Sequence, residues 1–478
     1  MNNTKSLKVN AVLNTMKTVL GIIFPLITFP YVSRVLGVDN IGSYNFSASI
    51  ISYFSLIAAL GIATYGIREG AKYRDTEEIT DFINEVFSIN IIATLLAYML
   101  LAMVVALVPT IRSHSVIIAI LSIEIFATTI GAAWICNVYE DFFFIAVRSL
   151  LVQFISLILT FALVKTADDL YKYVSIAAFA SSGANIWNLF YIRKKYCKYR
   201  FTTKINWNRH IKPILIIFST NVAITIYVSS DATMLGFMVS DYEVGLYTTA
   251  VKIYTIIKSV LAAMLMVLIP RFSILFEQES KDELNKLFSS VFGFLNVLML
   301  PMVVGLFVIS DDVVLLIAGA KFTESGAPLR LLSVAILFSL YSYLYTQCIL
   351  IPAKREDVVF KATMASAVVN ILLNFILIPV WGKNAAATTT IIAECITFII
   401  AIRASGKYVE MPRIDRTITS SIVGCIAIAI VCYIAKSIAL FVPRLALSLF
   451  GSAIIYFVIL LLMKNPVINN IIRSRIKS

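Results

Sequence analysis

Fourteen apolar segments follow one another along this 478-residue chain, each close to the length a lipid bilayer demands of a helix. The hydrocarbon core has no water to bond backbone N–H and C=O groups, so a lone spanning segment of roughly 20 residues must satisfy them internally, as an α-helix. The segments lie near 10–33, 44–66, 86–108, 116–138, 143–164, 173–192, 213–237, 244–269, 287–308, 326–350, 362–380, 385–402, 417–435 and 445–463. The expected fold class is all-α, a polytopic membrane protein with about 14 transmembrane helices. The chain is 60% hydrophobic and 14% charged, against roughly 45–50% and 25% in soluble proteins. No polar stretch is long enough for a separate soluble domain. The first segment runs about 24 residues from Asn10, too long for a signal-peptide core and without a small-residue cleavage site, so it reads as a retained span.

The net charge of +13 raises the question of nucleic acid, but its placement answers it. Loops on the side that holds both termini carry 27 Lys and Arg, the opposite loops carry 8, and 5 lie within spans. This asymmetry is the positive-inside pattern. It predicts a cell-membrane protein with both termini cytoplasmic and no nucleic-acid partner. The most basic loop, RKKYCKYRFTTKINWNRHIK from Arg193 to Lys212, reads as a solvated connector that fixes topology and touches anionic headgroups.

Catalysis is not expected. The six cysteines are scattered without a CxxC pair, and the two histidines, His114 and His210, lie in different loops, so neither a disulfide framework nor a metal site is supported. GxGxxG, GxxxxGK[ST] and HExxH are absent, and the outer loops are short.

The chain repeats itself. LGVDNIGSY follows span one and LGFMVSDYEVGLY follows span seven; both give Leu-Gly, a short polar loop, then Gly-x-Tyr. Glu140-Asp141 and Glu356-Asp357 open a second pair of similar segments. The offsets of 203 and 216 residues are each close to six spans, an even number, which predicts a parallel repeat about the membrane normal. The expected organisation is an N-terminal lobe at 1–200 (spans one to six), a second lobe at 201–405 (spans seven to twelve) and two further spans at 406–478.

Lys17, Lys252 and Lys258 sit several residues inside apolar segments. A charge near the bilayer centre costs at least roughly 2.5–3.5 kcal/mol, so it is usually turned toward a water-filled cavity or a partner. Asn10, Asn14, Lys17 and Gly21 share one helical face, as do Thr248, Lys252, Thr255 and Ser259. Span two is serine-rich, and span seven offers Thr220, Tyr227 and Asp231. The expected substrate-binding residues are Lys17, Lys252, Lys258, Asn14 and Thr255, with the lysines taking an anion. Asp231, Glu124 and Glu394 are expected to balance charge or couple an ion. Arg148, near the cytoplasmic end of its span, is expected to snorkel to the surface.

FPYVSRVLGVDNIGSYNFSASIISYFSLIAALGIATYGIREGAKYRD resembles the amino-terminal signature of bacterial polysaccharide flippases of the Wzx type, in the multidrug/oligosaccharidyl-lipid/polysaccharide exporter superfamily. DATMLGFMVSDYEVGLYTTAVKIY resembles the start of that family's second lobe, and VVNILLNFILIPVWGKNAAATTTIIAE its spans eleven and twelve. Where many relatives carry Gln-Gly before Glu-Asp, this chain has Asn137-Val138-Tyr139. The resemblance implies a transporter rather than an enzyme, with alternating access of a cavity formed by spans one, two, seven and eight. It implies movement of an undecaprenyl-pyrophosphate-linked oligosaccharide from the inner to the outer leaflet. Membrane lipids and other polysaccharide-assembly proteins are the expected partners. No cofactor is expected, and sodium, protons or the membrane potential would drive transport. A peptidoglycan lipid-precursor flippase and a drug/cation antiporter share the superfamily, though the lysines argue against the antiporter. A membrane polysaccharide polymerase or ligase would need a large outer loop, which is missing.

Overall fold

The computed structural model describes residue 21, residues 24–411 and residues 415–469, and every regular element among them is helical. By packing, the helices form two compact units, Met1–Gly245 and Leu246–Ser478. This division is one of contacts, whereas the boundary expected near residue 200 is one of internal repeat.

The first unit contains α1 (Phe24–Leu36), α2 (Val38–Ala59), α3 (Ile62–Tyr73), α4 (Ile79–Leu107), α5 (Pro109–Arg112), α6 (Ser115–Gly131), α7 (Trp134–Val138), α8 (Phe142–Leu163), α9 (Leu170–Lys195) and α10 (Trp207–Met238). The second contains most of α11 (Asp241–Met266), then α12 (Ile269–Glu277), α13 (Lys281–Ile317), α14 (Gly326–Tyr343), α15 (Glu356–Trp381), α16 (Lys383–Ser405), α17 (Arg416–Ala435), α18 (Phe441–Ala446) and α19 (Ser452–Leu462). Eleven helical stretches among the described residues are long and apolar enough to cross a membrane. The other three expected spans correspond to α1, α6 and α9. Of these, α9 is diluted by Ser181, Ser182, Asn185 and Asn188.

Local chemistry sets the breaks. The second span is interrupted where Leu60 (φ 46°) and Gly61 (φ 73°) are both left-handed, which separates α2 from α3. A Cβ at Gly61 would lie 2.7 Å from the Ile217 side chain, so α10 leaves no room there. In the second unit α13 contains Pro301 and bends at Ile309, whose φ of −104° and ψ of 20° are non-helical. Its core gathers Val297, Ile309, Ile428, Tyr456 and Leu460. Asn370, Asn374 and Thr389 close a buried ring of hydrogen bonds between α15 and α16.

Two expectations need correction. Arg148 does not snorkel. Its side chain is buried against α9, donates 2.7 Å to the Ala184 carbonyl and stacks over Phe144. The covering helix closes the path to the surface. Nor is the basic loop merely a solvated connector. Arg193, Lys198 and Arg200 are exposed, but Tyr199 between them is buried and donates 2.5 Å to the Ile130 carbonyl. The Arg200 and Thr202 amides donate to Asn84 and Ser88 of α4 at 2.8 Å each. His210 is fully buried between Tyr65 (2.6 Å) and Glu85 (2.9 Å).

Tyr199→Ala should therefore lower the melting temperature of the solubilised protein markedly, since emptying a buried aromatic site costs roughly 3–5 kcal/mol. Lys198→Ala, at an exposed position, should stay within about 0.5 kcal/mol of the parent. Thermal unfolding in one detergent checks both.

Candidate functional site

A cavity of about 490 Å³ lies in the first unit among α2, α6, α9 and α10. Hydroxyls of Tyr44, Ser52, Ser55, Ser181 and Thr225 and the Asn221 amide line it, with one carboxyl, Glu124. Such a wall suits a ligand rich in hydroxyls, because its hydroxyl and amide side chains both donate and accept. The serine-rich face of α2 has a second task. Ser52 donates to Ser229 (2.9 Å), and Thr233 donates to Ser49 (2.8 Å), so hydroxyls join α2 to α10.

The charged residues fall in two places. In the second unit the Lys258 ammonium lies 3.0 Å from a Glu394 carboxylate oxygen and 3.3 Å from the Tyr254 hydroxyl, one turn away on α11. Tyr254 itself donates to Glu394 at 3.3 Å. The pair lets two ions share a low-dielectric setting that neither tolerates alone. Lys252, half-buried, precedes Lys258 on α11, and Thr255 is exposed. An apolar groove of about 740 Å³ runs in this unit beside Ile256, Pro301, Gly305 and Tyr456. In the first unit Glu124 is in the cavity wall, and Asp231 is buried on α10 outside it. Lys17 and Asn14 lie outside the described residues.

Three features escaped sequence reasoning. The cavity face of α10 is that of Asn221 and Thr225, one residue round the helix from Thr220. Asp141 takes 2.5, 2.6 and 2.8 Å bonds from Tyr191, Lys195 and Tyr196, which hold its carboxyl down at about 2 despite burial. The third is a clasp where α2 meets the start of α11. One oxygen of Asp241 accepts from Ser43 (2.5 Å) and from His114 (2.7 Å). No motif announces it, because its members are 127 and 198 residues apart.

The same end holds the glycines of the repeated pattern. A Cβ on Gly42 would lie 1.8 Å from the Asp241 carbonyl oxygen, and one on Gly245 would lie 2.2 Å from that of Val38. Each glycine thus faces the carbonyl four residues before the other. A Cβ on Gly236 would lie 2.1 Å from the Phe46 ring, which is fully buried.

The hydrogen bond that His114 donates to the Asp241 carboxylate raises its pKa above the ordinary 6.5. A raised folded value means that the His114–Asp241 bond contributes fully below the unfolded value of about 6.5 and is lost as pH climbs through the raised folded value. Melting temperature should fall as pH rises above about 6.5, and His114→Gln should flatten that slope.

The sequence pattern of the family described as "Polysaccharide biosynthesis protein" matches residues 7–276. A protein named as an O-antigen transporter in Shigella dysenteriae is 22% identical over 80% of this chain and 96% of its own length. The corresponding Escherichia coli protein is 23% identical over 83% and 96%. A Haloferax volcanii flippase, AglR, is 28% identical over 42% of this chain and 43% of its own length. Among solved structures, the lipid II flippase MurJ in an inward closed conformation superposes with a TM-score of 0.74 at 15% identity, covering 97% of this chain and 99% of that one. An inward-facing multidrug MATE transporter of the MOP superfamily gives 0.61 at 14% identity over 80% and 93%. With more than half its length inside the matched pattern and an all-helical membrane fold, the chain belongs to the polysaccharide biosynthesis protein family, and it is a transporter rather than an enzyme.

Proposed function

We propose that this protein flips polyprenyl-pyrophosphate-linked oligosaccharide units from the inner to the outer leaflet by alternating access, with both termini cytoplasmic. The observation that carries the reading is the hydroxyl- and amide-lined cavity inside an otherwise apolar helical unit. Sugars need such partners, and lipid tails do not. The apolar groove beside α11, α13 and α19 suits the polyprenyl tail. Lys252 and Lys258, with Lys17, would take the pyrophosphate, helped by Asn14 and Thr255. The named O-antigen transporters and flippases among its relatives favour a glycan repeat unit over the peptidoglycan precursor.

Glu394 then competes with substrate for Lys258: the carboxylate neutralises the cation when no pyrophosphate is present. Asp231 and Glu124 would balance charge or couple an ion, with sodium, protons or the membrane potential as the driving force. Other polysaccharide-assembly proteins would supply the unit and consume it.

Proteoliposomes loaded with a fluorescent polyprenyl-pyrophosphate oligosaccharide test the reading. The protein should expose label to an external quencher faster than empty vesicles do, and should leave lipid II largely unmoved. Equal rates with and without protein would sink the proposal.

Lys258→Ala should slow flipping about 10- to 100-fold, the range set by losing a charge-assisted hydrogen bond of roughly 1.5–3 kcal/mol. The double variant Lys258→Ala/Glu394→Gln removes the stranded carboxylate as well. If it remains slow, Lys258 meets the substrate. Recovery to the parent rate would reduce Lys258 to a counter-ion for Glu394.

A further inference from the structure

We infer that a basic pocket at the end of α9 binds the headgroup of an anionic phospholipid, its phosphate on the cations and its free hydroxyls on the polar wall beside them. The pocket, of about 560 Å³, shares no residue with the hydroxyl-lined cavity. Thr80, Asp81 and Asn84 from the start of α4 form one wall, and Arg193, Lys198 and Arg200 form the other. Three cations thus face one carboxylate. None of the three has an ion-pair partner among the described residues, whereas Lys195 beside them is taken by Asp141 at 2.6 Å.

The cations are held at the pocket rather than left to disperse over the surface. Tyr199, buried and bonded to the Ile130 carbonyl, carries the Arg193 guanidinium over its ring at 5.8 Å. The Arg200 amide donates to the Asn84 side chain at 2.8 Å, which fixes the root of the Arg200 side chain against α4. A wall fixed in this way gives up little freedom when a ligand arrives. A basic loop alone attracts any anionic surface, but a bounded pocket with placed cations selects one phosphate.

Depth identifies the ligand as a lipid. The apolar span of α4 begins near residue 86, so Thr80 to Asn84 lie roughly 3–9 Å outside it at about 1.5 Å per residue. The headgroup layer is roughly 5–8 Å thick on each side of the hydrocarbon. Arg193 likewise follows directly on the apolar span of α9, which ends near residue 192. A phosphate can therefore sit in the pocket while its tails stay in the hydrocarbon. Asp81 narrows the choice further. It accepts from a headgroup hydroxyl and repels a second phosphate charge, which favours a phosphatidylglycerol-type headgroup over a polyprenyl pyrophosphate. The leaflet is the cytoplasmic one on the orientation proposed above.

Native mass spectrometry of the delipidated protein in neutral detergent tests the pocket. Phosphatidylglycerol should bind at least about tenfold more tightly than phosphatidylcholine, and Lys198→Ala/Arg200→Ala should remove about tenfold or more of that affinity. Lys204→Ala/Lys212→Ala takes the same charge from the same loop outside the pocket, and should stay within about threefold of the parent. Equal affinity for the two lipids, or equal losses in the two double variants, would mean diffuse attraction and overturn the site. Tighter pocket-dependent binding of polyprenyl pyrophosphate than of phosphatidylglycerol would overturn it too, by giving the pocket to the substrate. The unaltered chain supplies an independent readout. Phosphatidylglycerol should slow acylation of Lys198 by an N-hydroxysuccinimide ester several-fold and leave Lys204 unchanged, as read by peptide mapping; an unprotected Lys198 would reject the proposal even if the double variant misfolds. Neither measurement needs flipping or a known orientation, so failure of the transport reading leaves them intact.

Discussion

Lipid cannot answer a hydrogen bond, and the arrangement of polar groups in this protein follows from that. Hydroxyls in the spans turn back onto their own helices: Thr94 onto the Asn90 carbonyl, Ser156 onto Val152, Thr160 onto Ser156. Some ions are held in pairs, Lys258 with Glu394 and Arg444 with Asp312 at 2.7 Å, while Arg148 is held by the Ala184 carbonyl. Against such internal settlement, a wall of hydroxyls, an amide and a carboxyl around open space is the departure that needs a functional reason.

Close helix approach is the second constraint. Without a hydrophobic drive between helices inside lipid, association depends on intimate contact, which small residues permit. Gly66 makes way for the Trp134 indole, whose atoms would lie 2.6 Å from an added Cβ, and Gly131 lets α6 reach Asn185 of α9. Gly42, Gly236 and Gly245 do the same around the first turns of α2.

Much of this was legible in the sequence, and the limits have physical causes. Span positions could be read because desolvation leaves hydropathy little latitude, and Lys258 stood out because a charge in an apolar run is costly. Its partner Glu394 could be named as an intramembrane acid but not matched, since the two are 136 residues apart and pairing is a property of the fold. Arg148 was misread because snorkelling depends on whether a neighbouring helix covers the end of the span. The face of α10 toward the cavity was missed by one residue: Thr220 and Asn221 both look polar, and only packing decides which points inward. The Asp241 clasp draws on three segments, none of which carries a signal by itself.

The loop from Arg193 to Arg200 divides its labour by atom type. Tyr199 and the backbone amides of Arg200 and Thr202 hold it to the helices, with the Arg193 guanidinium over the Tyr199 ring, while Lys198 and Arg200 keep exposed side chains. Selection on anchoring and selection on charge therefore act on different atoms. Arginine and lysine can interchange at 198 and 200 at little cost to folding, whereas Arg193 stacks over Tyr199 and Lys195 pairs with Asp141. Descendants of this chain would be expected to vary the basic residues at 198 and 200 while preserving Tyr196 and Tyr199.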